Sequence, residues 1–326
     1  MKAVVQDRYG SPDVLEVRDV ATPVPGDHEV LVRVRAASVN ALDWHFMRGD
    51  PYVMRLGVGF RGPRVTVRGA DFAGVVAAVG GAVEGLAPGD EVFGEAGVGG
   101  AFAEYACARD TAVELKPPSL TFEQAAAMPL AANTALVGLR DVARVRAGQR
   151  VLINGASGGV GTFAVQLAKA FGAEVTGVCR TRNVELVGSL GADHVVDYTR
   201  EDFTRGERRY DVVLDLVGNR PLSALRRPLT PTGTLVLSGG GTSEGGSLLG
   251  PMGLFLRRRL LNPFVGHRLV ELPAKPSRAN LVALRELVEA GRLTPVVDRT
   301  YPLEEAAEAI RYVEVEHARA KVVLTV

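Results

Sequence analysis

The sequence predicts an α/β chain in which a doubly wound parallel sheet is inserted into a β-rich domain. Three observations predict it. Residues 150–182, RVLINGASGGVGTFAVQLAKAFGAEVTGVCRTR, read as strand, glycine-rich turn, apolar-periodic helix and second strand. The residues before about 120 are short alternating strands separated by Gly and Pro. From there to about residue 262, near-continuous apolar strand runs alternate with helices, the pattern of a parallel sheet covered on both faces.

In order, Ala3–Val5, Glu29–Ala36, Gly74–Val79, Glu91–Gly94 and Ala101–Ala106 are predicted strands, with turns at Pro25-Gly26-Asp27 and Pro88-Gly89-Asp90. Lys116-Pro117-Pro118-Ser119 ends that pattern. Thr121 and Gln124 then stand at capping-box spacing for a short helix. A helix over 133–142 leads to the strand at 150–154. The helix after the glycine turn presents Val160, Phe163, Ala164, Leu167 and Phe171 at helical spacing and stops at Gly172. Strands are expected over 194–198, 210–217 and 234–238, with helices over 184–190 and 222–228. The last part returns to mixed structure: strand 266–272, helices 278–290 and 304–313, strand 321–326. The expected domains are 1–122, β-rich and catalytic; 123–263, a Rossmann dinucleotide-binding domain; and 264–326, a return that completes the first.

Composition narrows the function. At 326 residues the chain holds two cores, and a net charge of +1 gives no electrostatic reason to expect nucleic acid. Two cysteines, Cys107 and Cys179, exclude a disulfide scaffold and a four-cysteine metal site, and they suit a reducing cytoplasm. No run reaches the roughly 20 apolar residues that span a bilayer. The nearest, 248–261, is broken by Gly250, Pro251, Gly253 and Arg257-Arg258-Arg259, a stretch read as a surface loop or subunit contact rather than a membrane face. A soluble protein with a small-molecule partner is the expectation.

The turn Ala156-Ser157-Gly158-Gly159-Val160-Gly161 carries the cofactor reading, with Ala where the first glycine of the strict fingerprint would stand. Gly158 lets backbone N–H groups approach a pyrophosphate at a helix N-terminus, and Gly161 permits close helix–strand packing. The end of the second strand, Cys179-Arg180-Thr181-Arg182-Asn183, contains no acid for a ribose 2′-OH. Two arginines can instead pair a 2′-phosphate, with Thr181 and Asn183 as neutral donors and Tyr198 as a further candidate, so NADPH is predicted. Val217 and Ser238-Gly239, at carboxyl ends of later strands, lie where ligands bind in such sheets.

The chain resembles the medium-chain dehydrogenase/reductase superfamily, in its zinc-independent quinone oxidoreductase and zeta-crystallin branch. The resemblance rests on the KAVV start, Gly69-Ala-Asp-Phe-Ala-Gly-Val-Val, Pro88-Gly-Asp-Glu-Val, Leu130-Ala-Ala-Asn-Thr-Ala, residues 156–161, Leu190-Gly-Ala-Asp-His-Val-Val-Asp-Tyr and Ala320-Lys-Val-Val, in that order over nearly the whole length. It implies a GroES-like catalytic domain with an inserted Rossmann domain, a cofactor-filled cleft between them, and usually a homodimer. The implied activity is NADPH-dependent reduction of quinones or α,β-unsaturated carbonyls. Zinc-dependent relatives carry a Cys and a His where this sequence has Asn40 and Ala70, with Asp71 in the place of their Glu. An amide and a methyl do not make the nitrogen and sulfur site that zinc takes, so no metal is expected. His45, beside Trp44 and Phe46, reads as a packed or surface residue.

The resemblance places NALDWHFMRGDPY as a loop over the nicotinamide, with Asn40 and Tyr52 as the catalytic candidates. Tyr52 resembles the proton-donating tyrosine of some reductases, though it stands one residue further from Asp43 than in enoyl reductases. Thr134 is expected at the nicotinamide end, and Lys321 completes the expected cofactor contacts. Competing functions are alcohol or aldehyde oxidoreduction, which normally calls for the missing zinc, and a non-catalytic NADPH-binding sensor. A short-chain reductase is excluded because no tyrosine is followed by Lys at Tyr-x-x-x-Lys spacing.

Overall fold

The computed structural model describes residues 1–238, 252–273, 275–316 and 318–326. The chain divides into two compact units, Met1–Asn133 with Lys275–Val326, and Thr134–Ala274. Both changes of unit come further along the chain than the bounds read from the sequence, because local contacts hold the intervening segments. The helix Phe122–Ala126, whose N-cap Thr121 accepts from the Gln124 N–H at 3.3 Å, packs on the strands Glu29–Val39 and Asp71–Val79. Asn133 in turn donates to the Lys275 carbonyl and accepts from Asn280, both at 2.8 Å.

The first unit is organised by the eleven-residue strand Glu29–Val39. Its alternation buries Val30, Val32 and Val34 and, past a register shift after Val34, Ala37 and Val39, in a core shared with Phe72, Val92 and Phe102. It pairs antiparallel with Asp71–Val79, and also with Tyr105–Arg109 and with Lys321–Thr325. The sheet continues outward from Asp71–Val79 to Glu91–Glu95 and Val113–Leu115, and from Lys321–Thr325 to Val297–Pro302. The strand expected at 101–106 runs instead over Tyr105–Arg109, since Phe102 and Ala103 are occupied by Val4 and Ala3.

The segment expected as a loop over 40–52 holds a helix, Ala41–Arg48. Asp43 at its third position accepts the Asn40 backbone N–H at 2.8 Å, and Gly49 ends it in the left-handed region at φ +58°. Trp44 and Met47 are buried on its inner side. His45 is buried too, stacked on Trp44 with Nδ1 2.8 Å from the Asp50 carbonyl, which matches the packed alternative.

The second unit is the predicted doubly wound sheet. Its six strands run His194–Asp197, Glu174–Cys179, Arg150–Asn154, Tyr210–Asp215, Leu229–Leu237 and Arg268–Glu271 across the sheet, and every neighbouring pair is parallel. In sequence terms the order is third, second, first, fourth, fifth, sixth, the Rossmann order, with its switch point between Arg150–Asn154 and Tyr210–Asp215. The helix expected at 133–142 starts earlier, at Pro129, a residue suited to a first helical position, and turns into a π-helix over Val137–Val142. The three consecutive arginines lie on a helix, Met252–Leu261, rather than a loop, because Arg258 anchors it to the edge strand by donating to the Leu269 carbonyl at 3.0 Å.

Candidate active site

The phosphate turn sits at the switch point, after Arg150–Asn154 and before the helix Gly159–Ala170. Its close approach is literal at Gly161: a Cβ there would lie 2.1 Å from the Gly155 carbonyl oxygen. Gly158, in ordinary extended backbone, has only that oxygen near, at 3.5 Å, so its face stays open for a bound group. Ala156, the departure from the fingerprint, is fully buried beneath the turn and donates its N–H to the Val178 carbonyl. Its methyl is accommodated because the facing residue is Gly177, whose absent Cβ would lie 3.0 Å away. Asn154 Nδ2 donates to Asp215 Oδ1 at 2.7 Å, tying together the strands that flank the switch point. Burial raises the Asp215 pKa against that bond, and its Oδ2 has no hydrogen-bond partner.

The expected phosphate-binding residues collect at the ends of Glu174–Cys179 and His194–Asp197. Arg180 Nε donates to the Tyr198 hydroxyl at 3.1 Å, and both side chains are exposed. Asn183 Nδ2 donates to Ser157 Oγ at 2.9 Å, while its buried Oδ1 has no partner. Sequence reasoning missed the acid here, because it arrives from the neighbouring strand: Asp197 pairs in register with Cys179. Its carboxylate is already engaged. Oδ2 accepts from the Thr181 hydroxyl at 2.6 Å, and Oδ1 accepts the Thr199 hydroxyl at 2.7 Å and N–H at 3.0 Å. The Thr181 bond, with those of Thr199, holds the Asp197 pKa below the usual carboxylate range. Backbone approach at Gly158, the orphaned Asn183 and Asp215 oxygens and the Arg180–Tyr198 pair fit a dinucleotide. Thr134 is buried, Val217 is half-buried beside Gly155, and the Ser238 N–H donates to the Asp215 carbonyl. Gly239 lies outside the described residues.

The first unit brings Asn40 and Lys321 together. Lys321 Nζ donates to Asn40 Oδ1 at 2.5 Å and to the Val39 carbonyl at 3.3 Å, and it lies 3.7 Å from Asp71. Asn40 Nδ2 donates to Asp71 Oδ2 at 3.0 Å and to the Ser38 carbonyl at 3.3 Å, so both amide hydrogens are committed. Asp71 also accepts from the Ser38 hydroxyl at 3.0 Å and from the Leu130 N–H at 3.1 Å. Burial lowers the Lys321 pKa and raises that of Asp71, and each opposes the shift of the other. Burial also pushes Asp43 up to about 6 and Glu95 up to about 8. Lys321, expected among the cofactor contacts, stands on a strand of the first unit, with the preceding Ala320 in the left-handed region at φ +55°. Tyr52 is not part of this cluster: it is 44% exposed, and the Arg55 guanidinium lies 4.6 Å from its ring centre and 4.5 Å from that of Tyr9.

Two family models match the chain, an alcohol dehydrogenase GroES-like domain over residues 26–118 and a zinc-binding dehydrogenase domain over 190–324. The human (Homo sapiens) quinone oxidoreductase is 33% identical over 318 residues, covering 95% of this chain and 92% of that protein. The chain belongs to the quinone oxidoreductase branch of the medium-chain dehydrogenase/reductase superfamily. The NADPH-dependent alkenal/one oxidoreductase of Arabidopsis thaliana chloroplasts is 34% identical to this chain over 351 residues, 99% of the chain and 79% of the relative. The solved quinone oxidoreductase of Coxiella burnetii superposes with a TM-score of 0.85 at 31% identity, covering 100% of this chain and 99% of that one. This medium-chain dehydrogenase/reductase is therefore an oxidoreductase with a GroES-like and a Rossmann domain. No helix among the described residues is long and apolar enough to cross a membrane.

One of those family models is described as zinc-binding, over residues 190–324; the positions at which the resemblance places zinc, Asn40 and Ala70, lie outside that match, and their chemistry does not fit zinc. Asn40 presents an amide already held by an ammonium 2.5 Å away, and Ala70 presents a methyl. Zinc takes thiolate, imidazole or carboxylate donors, and a fixed cation beside them repels it. Among the described residues no three His, Cys, Asp or Glu side chains gather as a metal would need.

Proposed function

We propose that this protein is a zinc-independent, NADPH-dependent reductase that transfers hydride to a quinone or to the β-carbon of an α,β-unsaturated carbonyl, working as a homodimer. The observation that carries the cofactor choice is the Arg180–Tyr198 pair, with the one nearby carboxylate, Asp197, taken by Thr181 and Thr199. An arginine beside a hydroxyl recognises a 2′-phosphate, and an engaged carboxylate is a poor acceptor for a ribose 2′-OH. The names of the human and Arabidopsis relatives support the substrate class. The test is NADPH oxidation against a panel of quinones, enones and aldehydes, with and without prior chelation. Reduction of aldehydes alone, or activity lost to the chelator, overturns the reading.

Ser157, Gly158 and Gly159 hold the pyrophosphate through backbone N–H groups, Gly161 keeps the helix close, and Ala156 and Val160 pack the turn. Arg180, Arg182, Thr181, Asn183 and Tyr198 hold the adenosine phosphate beside Cys179. Thr134, Val217, Ser238 and Gly239 lie along the nicotinamide end. The bound dihydronicotinamide supplies a hydride, and the chain supplies orientation and a proton. With both amide hydrogens committed, Asn40 shapes the substrate-facing start of its helix, and the Tyr52 phenol protonates the enolate or quinolate oxygen.

Replacing Arg180 and Arg182 together with alanine is expected to raise KM for NADPH at least about a hundredfold, since each charge-assisted bond to a phosphate contributes roughly 1.5–3 kcal/mol. KM for NADH should stay within error. An unchanged NADPH/NADH preference would falsify the 2′-phosphate assignment. For Tyr52→Phe, kcat at saturating NADPH is expected to fall roughly 10–100-fold, the scale of one general acid. Near-normal kcat removes the phenol from the mechanism and leaves the proton to water.

A further inference from the structure

Glu95 is almost wholly buried, and its Oε1 has no hydrogen-bond partner. It pairs in register with Asp71 across neighbouring strands, Asp71↔Glu95, which brings it to the Lys321–Asn40 arrangement. The charged groups facing Glu95 are Asp71 and Lys321. On its other neighbouring strand, Glu114 turns instead to Arg278 at 2.9 Å and Arg285 at 3.4 Å. Asp43 is linked to both Asp71 and Lys321, and the buried Arg68, which faces Asp43 and Tyr9, joins the set only through Asp43. With Arg68 set against Asp43, the two acids Asp71 and Glu95 are left to share one cation, Lys321. Burial strongly disfavours an uncompensated charge, so the cluster is balanced only when one acid carries a proton. Asp71 accepts from Ser38, Asn40 and Leu130, which favours its ionised form, and Asp43 accepts the Asn40 N–H. Glu95 has no such donors and is left to hold the proton.

We propose that Glu95 is a positioning residue that works in its protonated form, leaving the Lys321 ammonium to Asp71 and Asn40, and that loss of its proton disarms the site. Ionised Glu95 becomes a third anion beside Asp71 and competes for Lys321. Asn40 Oδ1 then loses its donor, and the start of the helix Ala41–Arg48 loses its anchor. The role rests on the reading that Asn40 faces the substrate, and it adds a pH dependence that this reading does not contain.

The experiment is the pH profile of kcat/KM for NADPH-dependent quinone reduction in the parent and in Glu95→Gln, paired with infrared spectra of both over the same range. Glutamine keeps the shape of the side chain and removes its titration. The parent is expected to lose activity as pH rises through about 8, with the infrared carbonyl band of a buried protonated carboxyl vanishing at the same midpoint. In Glu95→Gln that band is absent at neutral pH and the alkaline limb disappears, while the acid limb stays. A structural role alone would shift melting temperature without removing one limb. Should the variant keep the alkaline limb, or the parent show no such band at pH 7, the proposal is overturned while the reductase reading stands. A parent inactive on every quinone and enone overturns both, and the infrared titration still reports where the proton resides.

Discussion

Gly161→Ala is expected to abolish NADPH binding and to destabilise the second unit by about 2 kcal/mol. A methyl at this position would lie 2.1 Å from the Gly155 carbonyl oxygen, 2.7 Å from the Ala156 carbonyl carbon and 2.8 Å from its Cα. All three are backbone atoms of the phosphate turn, so no flexible side chain can yield. Alanine in place of glycine favours a helix by about 1 kcal/mol, and forced overpacking costs about 1–3 kcal/mol or more. The steric term wins, and relief comes only by moving the helix N-terminus off the turn. Gly158→Ala is the contrasting variant. Its backbone is ordinary at φ −81°, and the nearest atom to its new methyl is 3.5 Å away. It should unfold like the parent and bind NADPH weakly, because the methyl occupies the face a pyrophosphate needs. Denaturant unfolding and a cofactor fluorescence titration read both variants. A Gly161→Ala protein with parental stability and affinity would sink the close-approach account.

Asp71→Ala is the second large effect, expected to destabilise the first unit by about 3–5 kcal/mol, the scale for a buried charge left without its partner. Three hydrogen bonds end on this carboxylate, from Ser38, Asn40 and Leu130, and the Lys321 ammonium lies 3.7 Å away. With Asp71 gone, Glu95 can give up its proton and supply part of the missing charge. The double variant Asp71→Ala/Glu95→Gln should therefore be less stable than the sum of the single losses predicts. A strictly additive cycle would show that Glu95 and Asp71 do not share Lys321.

The doubly wound sheet was legible because its evidence is local: apolar strand runs, a glycine turn and a helix at one periodicity follow each other in sequence. The helix Ala41–Arg48 was not read, although Asn40-x-x-Asp43 stands at capping-box spacing. The capping residues were Asn and Asp rather than the usual Ser and Glu, and the resemblance to a loop took precedence. The charge cluster was illegible for a different reason. Asp71, Glu95 and Lys321 sit on three strands whose neighbourhood is fixed by register, Asp71 opposite Glu95 and Val322 opposite Val39. Nothing local in the sequence carries that register. Asp197 escaped in the same way, since a search along the second strand does not reach an acid at the end of the third.

The strand that closes the first unit's sheet comes late in the chain: Lys321–Thr325 lies between Glu29–Val39 and Val297–Pro302. Synthesis proceeds from the N-terminus at about 5–20 residues per second, so Asp71 and Glu95 leave the ribosome long before Lys321 does. The contiguous second unit, Thr134–Ala274, is therefore made in full before the ammonium that balances those two carboxylates has been added to the chain.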